Sequence, residues 1–113
     1  MQEIKNREDF DKALENDYVI IDCTASWCVP CKRIAPKIEK LSEGDEYNKV
    51  NFYVYDIDED DELSEEYVTV VPTFLFFKDG ELIKKIEGAD YKSIVKQLDQ
   101  LVESSEESSE DSD

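Results

Sequence analysis

A β-rich run, Tyr18-Val-Ile-Ile-Asp-Cys-Thr24, leads into Trp27-Cys28-Val29-Pro30-Cys31-Lys32, and a helical stripe of Ile34, Ile38 and Leu41 follows up to Gly44. A strand that delivers two closely spaced cysteines to a helix start constrains the fold more than any other feature of the chain. Two cysteines separated by two residues can close a small disulfide ring and open it again. Zinc wants four ligands, and this chain offers one further cysteine, Cys23, and no histidine. Dithiol–disulfide chemistry is therefore the leading reading; a structural cysteine pair or half a zinc site is the alternative.

The same alternation runs through the rest of the chain. A short strand covers about residues 2–5. Phe10, Ala13 and Leu14 then fall at i, i+3 and i+4 behind a capping Asn6, which predicts a first helix. Pro36 lies inside the second helix and predicts a kink there. Val50–Ile57 reads as a strand and Asp60–Tyr67 as a short polar helix. Thr73–Phe77, Lys78-Asp79-Gly80-Glu81 and Leu82-Ile83 form a strand–turn–strand pattern, since Asp-Gly favours a hairpin. Tyr91, Ile94, Val95, Leu98, Leu101 and Val102 line one face of a last helix capped by Asp90. A βαβ core followed by a hairpin and a helix predicts an α/β fold. Its central mixed sheet would be parallel through the βαβ unit and antiparallel through the hairpin, with helices on both faces.

Composition sets the boundaries of this domain and its partners. At 113 residues the chain makes one domain with a real core. From Ser104 to Asp113 only Ser, Glu and Asp occur, so residues 1–103 are expected to fold and 104–113 to form a disordered acidic tail. The tail holds five of the 30 acids and no base, so the remainder still carries −12 of the net −17. Such a surface is a poor partner for nucleic acid or anionic membranes. Residues 1–15 contain no run suited to a signal peptide, and no stretch has transmembrane length. There is no Asn-x-Ser/Thr sequon. The odd cysteine count is unlike a secreted disulfide framework. Cytosol or nucleus is the expected compartment.

Several separated elements stand in the order of a known family: Asp22 six residues before Cys28, Trp27–Lys32, Pro36, Val71-Pro72-Thr73, Lys78-Asp79-Gly80 and Gly88-Ala89. Over about residues 1–103 the chain resembles a small cytosolic thioredoxin. It departs from the common pattern at Val29, where the family usually has glycine, at Cys23, often an aromatic position, and in its tail. The resemblance implies the thioredoxin fold and a protein dithiol–disulfide oxidoreductase. Cys28 would be the attacking thiol, stabilised as thiolate by free N–H groups and the helix dipole. For thioredoxin, itself the reference case, that thiol pKa is about 7. Cys31 would be the resolving thiol. Asp22, a carboxylate in an apolar strand, would have a raised pKa and act through water as general acid and base for Cys31; a satisfied structural carboxylate is the alternative. Pro72 would be cis, placing the Val71 backbone where a client chain can pair with it. Trp27, Val29, Pro30, Ile57, Val71 and Gly88 would complete an apolar substrate platform. Cys23 points to the face opposite Asp22 and reads as a core thiol.

The resemblance further implies no bound cofactor, with NADPH acting only through a thioredoxin reductase. Disulfide-bearing clients such as peroxiredoxins would be the other partners, and the protein would be monomeric. A disulfide oxidase or isomerase on the same fold is one rival, although Pro30 stands where isomerases usually carry histidine. A binding or scaffold protein is another. The acidic run Asp56–Glu62 does not fit a calcium loop: an EF-hand started at Asp56 has Asp61 at position six and Tyr67 at position twelve. It reads as a solvated rim, with Asp58 at the edge of the groove. Ser104-x-x-Glu107 and Ser108-x-x-Asp111 suit an acid-directed kinase, so Ser104 and Ser108 are candidate phosphosites; a passive solubilising tail is the equal alternative.

Overall fold

The cap and turn residues anticipated along the chain set most element boundaries. A computed structural model describes the backbone of residues 1–111 and the side chains of residues 1–103. Its elements are β1 (Gln2–Ile4), α1 (Arg7–Ala13), β2 (Tyr18–Thr24), α2 (Val29–Glu43), β3 (Asn51–Asp56), α3 (Asp61–Tyr67), β4 (Thr73–Lys78), β5 (Glu81–Glu87) and α4 (Tyr91–Asp111). The Asn6 carboxamide oxygen accepts from the Asp9 N–H at 2.8 Å. Asp60 accepts from the Leu63 N–H at 3.0 Å, and Asp90 from the Ser93 N–H at 3.2 Å. Each such bond satisfies a donor that the helix start leaves open, worth about 1 kcal/mol. Asp79 and Gly80 both have positive φ, 52° and 84°, as a two-residue hairpin turn requires.

The five strands lie in the order β1-β3-β2-β4-β5. β2 is central, parallel to β3 and antiparallel to β4. β1 pairs parallel with β3, and β5 antiparallel with β4. Two apolar clusters fill the two faces. On one, Ile34 and Ile38 of α2 and Ile94, Leu98 and Leu101 of α4 pack on Ile20, Phe52, Phe74, Phe76 and Ile86. On the other, Phe10 and Ala13 of α1 and Leu63 of α3 pack on Ile4, Val19, Ile21, Cys23, Leu75 and Phe77. The mixed sheet with helices on both faces is thus the observed architecture.

Several boundaries differ from those expected of the sequence. β3 starts at Asn51, because the Val50 N–H closes a turn onto the Tyr47 carbonyl at 3.0 Å. β5 runs on past Ile83 to Glu87; it is an edge strand, and Lys84 and Lys85 are the exposed charges that an edge tolerates. α4 continues to Asp111, where disorder was expected from Ser104. Among the described side chains, the last buried one of α4 is Leu101. The Ser104 and Ser108 side chains, and Ser112 and Asp113 altogether, lie outside the described residues.

Candidate active site

β2 is flanked by β3 and β4, so its C-terminal end is held on both sides. It delivers Ala25 and then the exposed Ser26 and Trp27 to the start of α2. Cys28 is the N-cap of that helix, with extended φ −94° and ψ 110°. Its own N–H bonds the Ala25 carbonyl at 3.1 Å, and its carbonyl accepts from the Lys32 N–H at 3.2 Å. Its Sγ accepts from the Cys31 N–H at 3.2 Å. The sulfur thus occupies the position that Ser or Asp takes at other helix starts, at the positive end of the helix dipole. Pro30, in the first turn, lacks an N–H where none is needed and presets φ.

Cys28 and Cys31 are joined by a disulfide with their Cα atoms 5.3 Å apart. Both are buried, Cys28 5% exposed and Cys31 2%. Ala25 packs with both cysteines, and Ile57 and Val71 close over them. Ile57 arrives there because its N–H bonds the Thr24 carbonyl at 2.9 Å, one step beyond the end of β3. Val71 arrives through the cis Val71–Pro72 peptide bond. The loop is fixed from two sides. The Gly88 N–H donates to the Pro72 carbonyl at 2.8 Å, and the buried Thr73 hydroxyl donates to the Val70 carbonyl at 2.6 Å. Gly88 has φ 99°, a conformation that side chains rarely adopt.

Around this cluster stands an exposed apolar rim. Trp27 is 64% exposed, and Val29 and Val70 are about half exposed. The Trp27 indole N–H donates to Asp58 Oδ2 at 3.3 Å, which ties the ring to the acidic rim. The structure therefore brings together the expected Cys28, Cys31, Ile57, Val71 and Pro72. It links Gly88 to them through Pro72 and leaves Trp27, Val29 and Pro30 exposed around them. Ala25 and Val70 were not anticipated. Only the tertiary packing of the strand end against the cysteines reveals Ala25.

Asp22 sits one layer deeper. It pairs in register with Val54 and Phe74, in the middle of the sheet, on the face that carries Ile20 and Phe74. The buried stripe of α2, Cys31-Ile34-Ile38, faces the same side. The carboxylate is 3% exposed, and among the described residues its Oδ1 has no hydrogen-bond partner. Burial pushes its pKa up to about 7. The neighbouring Cys23 faces the opposite cluster. Burial, and then the Asp22 charge, push that thiol well above its ordinary range, so Cys23 is an inert core group.

Closing and opening one sulfur–sulfur bond moves two electrons without any further group, and the residues that flank this bond are apolar and reachable. Fold and site together define a protein dithiol–disulfide oxidoreductase. No group of metal-binding side chains occurs among the described residues, and no helix there is long and apolar enough to cross a membrane. The thioredoxin family model matches residues 2–100. Thioredoxin-1 of Saccharomyces cerevisiae is 42% identical over 94 residues, covering 81% of this chain and 89% of that one. The crystal structure of the Malassezia sympodialis thioredoxin Mala s 13 superposes with a TM-score of 0.83 at 36% identity, covering 88% and 89% of the two chains. A further structure has a TM-score of 0.82 at 35% identity, covering 88% and 94%. It comes from work on the thiol-resolving mechanism of a yeast mitochondrial 1-Cys peroxiredoxin via glutathione and thioredoxin systems. The chain belongs to the thioredoxin family.

Proposed function

We propose that Cys28 is the attacking thiol, Cys31 the resolving thiol and Asp22 the proton acceptor of a thioredoxin that reduces disulfides in client proteins. In the dithiol form the Cys28 thiolate attacks one client sulfur. The client disulfide breaks, a Cys28–client disulfide forms, and the second client sulfur leaves as a thiolate that takes up a proton. Cys31 then gives its proton, through water, to the Asp22 carboxylate and attacks Cys28 Sγ. The client's remaining thiolate leaves, and the Cys28–Cys31 disulfide closes. Two electrons have passed from protein to client. The observation that carries this reading is the Cys28 sulfur at the helix N-cap, accepting the Cys31 N–H at 3.2 Å. The same bond and dipole that hold the sulfur there lower the energy of its thiolate. A pKa near 7 lets Asp22 take and return a proton at neutral pH.

Val71 would pair with the extended client backbone, while Trp27, Val29, Pro30, Ile57, Pro72 and Gly88 border the bound segment. Residues 1–103 form the reductase domain, and 104–113 form a charged tail beyond the family match, with Ser104 and Ser108 as kinase targets. The protein works as a monomer in cytosol or nucleus. It needs no bound cofactor and is recharged by a thioredoxin reductase with electrons from NADPH. Peroxiredoxins are among its clients, as the similar structure from peroxiredoxin work suggests. Insulin reduction driven by NADPH and a thioredoxin reductase tests the whole cycle. Catalytic turnover is expected, with loss in Cys28→Ser. Turnover with dithiothreitol but not with any reductase would remove the recharging step, and turnover by Cys28→Ser would remove the assignment.

A further inference from the structure

The acidic charge of the chain is not evenly spread about the disulfide. Trp27 and Asp58 mark one bank. On the other, an open groove of about 260 Å³ is lined by Pro30, Arg33, Ile34, Lys37, Ala89 and Tyr91. Pro30 lies between the two cysteines in sequence, and Ala89 follows Gly88, which bonds the cis-proline loop. The groove therefore borders the redox motif through Pro30. Pro30, Arg33 and Lys37 fall at i, i+3 and i+7, one row along the exposed face of α2. Lys37 Nζ stands over the Tyr91 ring, 5.3 Å from its centroid, which restrains the ammonium group at the groove wall. Among the described residues neither Arg33 nor Lys37 takes part in an ion pair. No described carboxylate partners these two cations, in a chain with 30 acids and 13 bases. The nearest acid in sequence on the α4 side is Asp90, and its carboxylate is engaged by the Ser93 N–H and hydroxyl at 3.2 and 2.7 Å.

We propose that this groove is a client subsite for an aspartate or glutamate side chain presented about three residues from the client's reacting cysteine. The guanidinium fork of Arg33 and the ammonium of Lys37 would hold the carboxylate, and Ile34 and Tyr91 would take its methylenes. The spacing follows from helix and strand geometry. Seven residues of α2, from Pro30 to Lys37, span about 10 Å, which an extended chain covers in about three residues. Net charge works the other way and disfavours acidic clients as a whole. That field is screened over about 8–10 Å at physiological salt, whereas a contact pair is screened less. The subsite therefore predicts a preference that depends on position: acid favoured at the groove and disfavoured elsewhere.

The proposal deepens the reading of Cys28 as the attacking thiol and rests on it. The test uses the full-length, reduced protein and disulfide peptides with Glu, Gln or Lys three residues before or after the attacked cysteine. Second-order rate constants are measured at physiological salt. The Glu peptide is expected to react about three- to fivefold faster than the Gln peptide on one of the two sides, the size of one or two exposed ion pairs. Arg33→Gln with Lys37→Gln brings that ratio to about one, and Arg33→Glu with Lys37→Glu inverts it in favour of the Lys peptide. The ratio between peptides cancels any change that these substitutions make in the thiol itself. Equal Glu and Gln rates on both sides in the parent protein would overturn the proposal, as would a ratio that the substitutions leave unchanged. Failure of every peptide, the Gln ones included, would strike the Cys28 reading instead and take the subsite with it.

Discussion

Asp22→Asn separates the cost of the buried carboxylate from its service. In the oxidised protein Asp22 is 3% exposed, its Oδ1 lacks a partner among the described residues, and burial raises its pKa from 3.8 to about 7. A carboxyl whose folded pKa lies above its unfolded one keeps its proton in the native state while the unfolded chain has lost it. Its contribution is therefore most favourable below about pH 4. It falls as pH rises towards 7 and then levels off. The difference between 3.8 and about 7 corresponds to roughly 4 kcal/mol at most. Asparagine also buries an amide, which reduces the gain to about 2–4 kcal/mol. Urea unfolding of both oxidised proteins at pH 4, 6 and 8 measures it. The two stabilities should be close at pH 4, and the asparagine variant should pull ahead by about 2–4 kcal/mol at pH 8, roughly 10 °C in melting temperature. A gap that does not change with pH, or a less stable variant at pH 8, would refute the burial argument.

Four further perturbations have definite expected outcomes. Cys31→Ser should still attack a client disulfide but stall as a Cys28–client mixed disulfide, visible as a covalent adduct by mass spectrometry; rapid release would reassign the resolving thiol. In single turnover, Asp22→Asn should slow the Cys31 step most near neutral pH, and equal rates across pH 6–9 would leave Asp22 a structural role only. Gly88→Ala meets no atom within 4 Å, so its cost is the backbone strain of φ 99° alone; about 1–2 kcal/mol is expected in urea unfolding, and a neutral result would mean that the loop relaxes. Deletion of residues 104–113 starts beyond Leu101, the last buried one among the described side chains, and should leave the melting temperature nearly unchanged. Deletion should also slow encounter with basic clients at low salt, whereas equal rate ratios at low and physiological salt would make the tail a passive solubiliser.

Much of this molecule is legible locally, because its signals span a few residues. Asn6, Asp60 and Asp90 mark helix starts by capping their own next turn. Asp79-Gly80 marks the hairpin because both residues must take positive φ. Cys28 and Cys31 point to a redox pair by their spacing together with the want of other zinc ligands, one further cysteine and no histidine. Residues that meet through tertiary packing are, by contrast, silent. Ala25 joins the cysteines only because β2 ends beneath α2. The Tyr47 hydroxyl donates to Asp99 Oδ1 at 2.6 Å across 52 residues. Arg7 reaches Glu62 and Glu66 only because α1 and α3 cover the same sheet face. The basic groove belongs to this class, because Arg33 and Lys37 look like ordinary solvated charges until α4 brings Tyr91 beside them.

The reduction potential of the Cys28–Cys31 pair tests the central claim most directly. Trp27 adjoins Cys28 and is 64% exposed, so its fluorescence can report the redox state during equilibration in thiol–disulfide buffers. A protein that reduces client disulfides requires a value near −270 mV, which is that of thioredoxin itself. A value near −120 mV, that of a strong disulfide oxidant, would contradict the account.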